Sequence, residues 1–176
     1  MELASLIERR YSCRSYANRP VDRALVRKIC KEAALAPSAC NSQPWKMHAL
    51  YGEKKAAAAR ALQGLGLNAH AARAPVLIAV EQTPAKYMSR FDGIVPPNAW
   101  APCDIGILAA HIVLLAEANG LQSCIIGYDA DPAAVKELLH TENPVPLFIA
   151  LGYAEEGAPM PAKKRKPTED VFTEEE

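Results

Sequence analysis

Residues 104–118, DIGILAAHIVLLAEA, place the strongest constraint on what this chain can fold into. The segment predicts a helix that is apolar nearly all round. Such a helix has no face suited to water and must be buried, either in a core or between subunits. Asn119-Gly120 supplies its stop signal. The strongly apolar run from Ile105 to Ala116 is interrupted by His111. It is too short to cross about 30 Å of hydrocarbon, so no membrane span is expected.

The elements around it alternate in type. APVLIAV (74–80) and VPLFIALGY (145–153) are continuous apolar runs, which predicts strands buried on both faces. QSCIIG (122–127) reads as a short strand, and KMHALY (46–51) alternates as a half-buried one. Helices are predicted over Glu2–Arg10, over VDRALVRKICKEAALA (21–36), over EKKAAAARAL (53–62) and over DPAAVKELLH (131–140). Asp22 caps the second, where Leu25, Val26, Ile29 and Ala33 recur at helical spacing and Pro37 ends it. Asp131-Pro132 opens the last with a cap and a proline at the first helical position. Residues 37–45 read as an ordered loop. Residues 84–102, rich in Pro, Gly, Asn and aromatics, read as a loop or lid with room for one short helix.

The class is therefore α/β or α+β, in one domain of 176 residues. No G-x-G-x-x-G or G-x-x-x-x-G-K-[ST] string occurs, which leaves a Rossmann or P-loop nucleotide site unsupported. After Tyr153 the sequence turns to Glu, Pro and Lys, and such a tail cannot build a core of its own.

Twenty Lys and Arg balance twenty Asp and Glu. A neutral chain is not expected to bind nucleic acid or a membrane surface generally, because both need net positive charge. The five cysteines are widely spaced with no C-x-x-C, so reduced thiols are expected rather than a metal or cluster site. His48, His70 and His140 lack metal-ligand spacing, and His111 reads as a packed core histidine. MELASLIERR has no apolar leader region, and cytoplasm is the expected compartment.

Three segments could carry chemistry. RRYSCRSY (9–16) sets Arg9, Arg10, Ser12 and Arg14 at a helix end, where guanidiniums can fork onto phosphate. The plain alternative is a solvated helix end. PSACNSQPW (37–45) gathers Ser38, Asn41, Ser42 and Gln43 between two prolines, which suits a polar planar heterocycle. Its alternative is a connection with capping residues. KKRKP (163–167) is a cationic run in the tail, or simply a solvated one.

Taken together and in order, these strings resemble the nitroreductase family of FMN-dependent oxidoreductases. RRYSCR, APSACNSQPW, NAHAARAPVLIAV, DIGILAAHIVLLAEANGLQSCIIG and the late LGYAEE…KKRKP carry the resemblance across nearly the whole chain. It implies an α+β fold: a small nitroreductase-like α/β/α sandwich with a central mixed sheet of about five strands, in an intertwined homodimer. Residues 1–155 would form the FMN-binding domain. Residues 156–176 would wrap onto the partner subunit and reach the FMN phosphate.

The resemblance also implies a site. Arg10, Tyr11 and Ser12 would lie along the phosphate and ribityl chain, with Lys163 and Arg165 from the tail. Arg14 would face the pyrimidine edge of the ring, stabilising negative charge there. Pro37, Ser38, Ala39 and Asn41 would come from the other subunit and cover the flavin, and Asn68 would bond the pyrimidine edge. Ile126 and Gly127 would offer backbone N–H groups near O4 and N5; Ile126 stands where several relatives carry Glu. The implied activity is ping-pong hydride transfer from NADH or NADPH, through flavin N5, to a small electron-poor acceptor of nitroaromatic, quinone or flavin type. Alternatives on the same scaffold are a specialised reaction such as reductive dehalogenation, or a flavin-binding protein without turnover. Phe91 and Trp100 are candidate walls of the acceptor pocket. No catalytic side chain and no metal is expected.

Overall fold

A computed structural model describes residues 2–63, 67–127 and 131–175. The elements are α1 (Leu3–Arg9), α2 (Arg23–Ala33), β1 (Lys46–Leu50), α3 (Gly52–Ala61), β2 (Val76–Glu81), α4 (Ala101–Ala118), β3 (Gln122–Gly127), α5 (Pro132–Leu139) and β4 (Leu147–Gly152). Single helical turns occur at Ala39–Asn41, Ala69–Ala72, Ser89–Phe91 and Thr168–Asp170. Asp22 and Asp131 cap α2 and α5 as read from the sequence, accepting from Ala24 N and from Ala133 and Ala134 N.

Among the described residues the sheet has four strands in the order β1-β2-β4-β3, and every neighbouring pair is antiparallel. The expected mixed sheet of about five strands is thus, within one chain, an antiparallel sheet of four. Its one parallel pairing is the bridge from Ser12 to Ser123. The segment around Ser12 makes only isolated bridges, this one and an antiparallel one from Tyr16 to Ala154, because its side chains lack the apolar alternation of a full strand.

Alternation on the two central strands builds two cores. Val76, Ile78, Val80, Ile149 and Leu151 face α2 and α4. Leu77, Ala79, Phe148 and Ala150 face α3 and α5. All six residues of β2 are buried, as its continuous apolar run requires. The result is a helix–sheet–helix sandwich.

Two features tie the sheet to its surroundings. At the end of β4, Gly152 lies so close to its neighbours that an added Cβ would stand 2.6 Å from Pro75 Cδ and 2.8 Å from Tyr16 Cδ1. At the end of β2, buried Glu81 accepts from His48 Nε2 at 2.6 Å, Asn143 Nδ2 at 2.6 Å and Thr141 Oγ1 at 2.8 Å. Burial alone would raise the Glu81 carboxyl. The bonds from Asn143, His48 and Thr141 outweigh it and hold the group below its ordinary value of 4.5.

Gly152→Ala is expected to lower unfolding stability by about 1–3 kcal/mol through overpacking, measured by chemical denaturation. Because the folded-state value of Glu81 is depressed, its contribution is fully present above 4.5 and is lost as pH falls through the depressed value. The stability gap between the natural chain and Glu81→Gln should therefore be widest at neutral pH and narrow below 4.5, read from urea midpoints across pH.

Candidate functional site

The amino-terminal cluster forms where α1 ends. Arg10 is the residue after its last turn, and Arg9 Nε meets buried Glu117 Oε1 near the end of α4 at 3.3 Å. Tyr11 follows, its hydroxyl pushed up to about 12 by burial and by Cys13 and Glu117 beside it. Cys13 N–H donates to Ser123 O at 2.9 Å and holds the segment against the start of β3. Ser12 hydrogen-bonds the buried Cys124 thiol, which burial raises and the Arg14 charge lowers.

Arg14 is exposed, and its charge is felt across the neighbouring turn. The His70 imidazole is pushed below its ordinary value, first by burial and then by Arg14. Its Nε2 is buried with no hydrogen-bond partner among the described residues. Asn68 begins that turn in a left-handed conformation (φ 59°), and its Nδ2 donates to Leu62 O at 3.2 Å. Ile126 is buried in the core that also holds Cys13 and Ala71, while Gly127 is exposed at the end of β3. β3 is an edge strand, and its outward amides remain available to a ligand.

The tail returns to this cluster. Lys163 Nζ donates to the carbonyls of Ile7 and Glu8, the first at 3.0 Å. Between the tail and the RRYSCR segment lies a cavity of about 230 Å³, lined by Tyr11, Ser12, Cys13 and Arg14 on one side and Ala158, Pro159 and Pro161 on the other. Both chain ends thus converge on one cationic site. Arg165 is not drawn in: its guanidinium bonds the carbonyl of Lys164.

Residues 37–45 lie elsewhere. Ala39 N–H donates to Asp104 Oδ1 at 3.0 Å, at the start of α4, and Lys86 N–H donates to Ser42 Oγ at 2.7 Å. Ser38 Oγ accepts from Gln43 N–H, and Gln43 Nε2 bonds Asn41. Much of the loop's polarity therefore shapes the loop itself, while Pro37 and Asn41 remain exposed. Behind it, Tyr87 and Phe91 pack on Trp100 at ring-centroid distances of 4.7 and 5.5 Å, so Phe91 and Trp100 belong to one aromatic cluster.

Asp104 holds the loop and Glu117 holds the amino-terminal cluster. They are thirteen residues apart on one helix, about 20 Å at 1.5 Å per residue. One chain therefore carries two candidate half-sites: a cationic cluster beside a sheet edge, and a polar, tightly turned loop. The outer face of α4 between them is apolar and open, with Cys103, Gly106, Ile107 and Ala110 exposed. α4 is the one described helix long and apolar enough to cross a membrane by length and composition, and half of it is buried inside the fold. Among the described residues no His, Cys, Asp and Glu group could hold a metal, and all five cysteines are free.

Asp104 and Glu117 were not singled out in the sequence, and His70 was read there only as lacking metal-ligand spacing. The signal for His70 was its place two residues after Asn68; for the two acids it was charge inside an otherwise apolar helix. His111 also differs from expectation. It is half-buried on the outer side of α4, and its Nδ1 lies 2.9 Å from Ile107 O.

These half-sites on a three-layer α+β sandwich define a cofactor-binding domain rather than a self-contained acid–base centre. The chain belongs to the Nitroreductase family, whose sequence pattern it matches over residues 7–66 and 53–153. It is 30% identical over 180 residues to a Thermus thermophilus protein named NADH dehydrogenase, with 86% of each chain covered. A nitroreductase family protein of Streptococcus pneumoniae has the same fold, with a TM-score of 0.83, 23% identity and coverage of 99% and 100%. A Clostridium difficile structure named as an FMN-dependent nitroreductase superposes with a TM-score of 0.71 at 25% identity, covering 96% of this chain and 94% of its own.

Asp104→Ala is expected to free the Ala39 amide. Its hydrogen exchange, followed by NMR, should accelerate at least about tenfold, since a buried hydrogen bond to a charged acceptor contributes about 1.5–3 kcal/mol.

Proposed function

We propose that this chain is an NAD(P)H-dependent FMN oxidoreductase that works as a twofold dimer, each flavin site being assembled from two copies. The observation that carries this reading is the spacing along α4. The cradle and the roofing loop hang from opposite ends of a rigid helix, about 20 Å apart, too far to grip one isoalloxazine from within a single chain. A second copy, antiparallel along the open apolar face of α4, would bring its loop over the first copy's cradle and bury that face.

The residues present fit FMN. Arg10, Ser12 and Lys163 gather at one end, as a phosphate requires. Next to Arg14, the buried and unpartnered Nε2 of His70 stands where the pyrimidine edge would supply a partner. In the dimer, Pro37, Ser38, Ala39 and Asn41 of the other copy cover the ring. The tail sets Lys163 against the end of α1 in its own chain; exchanged between copies in the dimer, it would bring Lys163 and Arg165 to the partner's phosphate in the same way.

When bound, FMN supplies the redox chemistry, taking hydride at N5 from NADH or NADPH and passing electrons on to a small electron-poor acceptor such as a nitroaromatic. The protein's part is to orient and to screen. Arg14 would place positive charge at the pyrimidine edge, Ile126 and Gly127 would offer backbone amides near O4 and N5, and Asp104 fixes the loop that would cover the ring. Donor and acceptor share one exposed ring face in turn, bounded by the aromatic cluster at Trp100. The similarity to a protein named NADH dehydrogenase supports the donor, and that to an FMN-dependent nitroreductase supports the cofactor.

Mixed dimers test the shared site. One copy carries Arg10→Ala with Ser12→Ala, the other Ser38→Ala with Asn41→Ala. In a shared arrangement both defects fall in one site and the second site is intact, so the mixed dimer should bind about half the natural FMN while each variant alone binds it at least about tenfold more weakly. Absorbance of bound flavin reads the outcome. A mixed dimer as empty as its parents would sink the two-copy site.

A further inference from the structure

Another concavity lies between the loop after Tyr16, the start of α3 and residues 72–76, and it shares no residue with the flavin site described above. Its volume is about 690 Å³, well within the range of small-molecule sites. Four cations line it, Arg19, Arg23, Lys55 and Arg73, against the single carboxylate of Glu155. In a chain with twenty charges of each sign, that imbalance is local and concave. A cleft lined by one sign of charge focuses its field and concentrates the opposite ion.

The cations are held in place without being neutralised. Arg19 stacks on the Tyr153 ring, its guanidinium carbon 3.8 Å from the centroid, and Arg23 on Tyr51 at 4.7 Å. Stacking fixes a guanidinium's plane and leaves its N–H edge free to donate. Lys55 Nζ donates to Ala72 O at 2.9 Å, which orients it but adds no negative charge. Among the described residues only Arg73 has an ion pair, to Glu155 Oε2 at 3.0 Å.

We propose that this groove is a second ligand site, built for a nucleoside diphosphate. Two phosphate groups match three unneutralised cations better than one does. The groove is larger than a bare diphosphate, and the half-buried Tyr51 and Pro75 give it an aromatic and apolar wall for the nucleoside. The ligand relieves repulsion among the clustered cations and takes the donor edges that Arg19 and Arg23 hold ready.

Calorimetric titration of the purified protein with ADP and with orthophosphate tests this. ADP should bind at one site in the groove, at least about tenfold tighter than orthophosphate. Arg19→Gln with Arg23→Gln should weaken ADP at least about tenfold while bound-flavin absorbance and melting temperature stay unchanged. Among the described residues neither arginine has an ion pair for the change to break, and each stacks on a ring. Should that double variant fail to fold, Arg73→Gln is expected to weaken ADP in the same direction. Equal ADP affinity in natural and variant protein would overturn the site and place ADP elsewhere, as over the flavin. No binding at millimolar ADP would overturn it too. So would a peptide TEDVFTEEE that binds the groove more tightly than ADP, which would assign it to the chain's own acidic tail. The ADP affinities do not depend on how the flavin site is assembled, so failure of the two-copy flavin site and failure of this groove are separate results.

Discussion

The burial of α4 is the interaction on which the rest of the structure depends. One side of this helix, from Ile105 through Leu108 and Ile112 to Ala116, packs under the sheet with α2 and is the largest single helical contribution to one core. The other side is nearly as apolar and has no covering within the chain. A helix is also a ruler. Whatever is bonded to Asp104 and whatever is bonded to Glu117 are kept a fixed distance apart, and here those are the loop at residues 37–45 and the cluster at the end of α1. Burial and site geometry thus trace back to the same rod. On the proposed reading the second copy covers the open face and closes the gap between half-sites in one act.

The electrostatic layout follows from where the buried and paired carboxylates stand. Glu117 is committed to Arg9, Glu81 to the knot with His48, and Glu155 to Arg73 and Ser15. Positive charge without an ion pair among the described residues then gathers in two places: where Arg10, Arg14 and the returning Lys163 meet at the end of α1, and in the groove of Arg19, Arg23 and Lys55. A chain with no net charge can therefore carry two anion-seeking surfaces. Net charge excludes a general polyanion binder; it does not speak to local fields.

Local physics was legible in the sequence and long-range pairing was not. Strands β2, β3 and β4 and the caps at Asp22 and Asp131 follow from periodicity and from side chains acting on amides two or three residues away. The start of α4 was misplaced by three residues, since Pro102 reads as a breaker. In the first helical turn it removes an N–H that would have had no partner anyway. Ser12, Arg14, Asn41 and Lys163 stood out locally only as members of polar clusters with an equally plain solvated reading, and the roles assigned to them came through a family resemblance. The bond from Ala39 to Asp104 spans 65 residues, and no pattern within a window of one helix could reveal it. Nor could a count of strands in one sequence show that Ser12 pairs with Ser123 at a single point instead of forming a further strand.

The loop at residues 37–45 shows how such long-range bonds make a functional shape possible. Cys40, Asn41 and Gln43 all have positive φ, at 54°, 52° and 46°. Asn tolerates that region, but Cys and Gln adopt it at a cost, since their Cβ atoms crowd the backbone. Backbone held in this way persists only where its surroundings over-determine it. Here the determinants can be named: the carboxylate of Asp104 on one side, the Ser42 hydroxyl bonded to Lys86 on the other, and the Ser38–Gln43 and Asn41–Gln43 bonds within. Asp104 Oδ2 remains buried and unpartnered, a cost that a purely structural loop would have little reason to carry. A preformed roof spares the ligand the entropy of ordering it. That gives a physical reason for so tightly turned a loop to sit at the end of the helix that a second copy would cover.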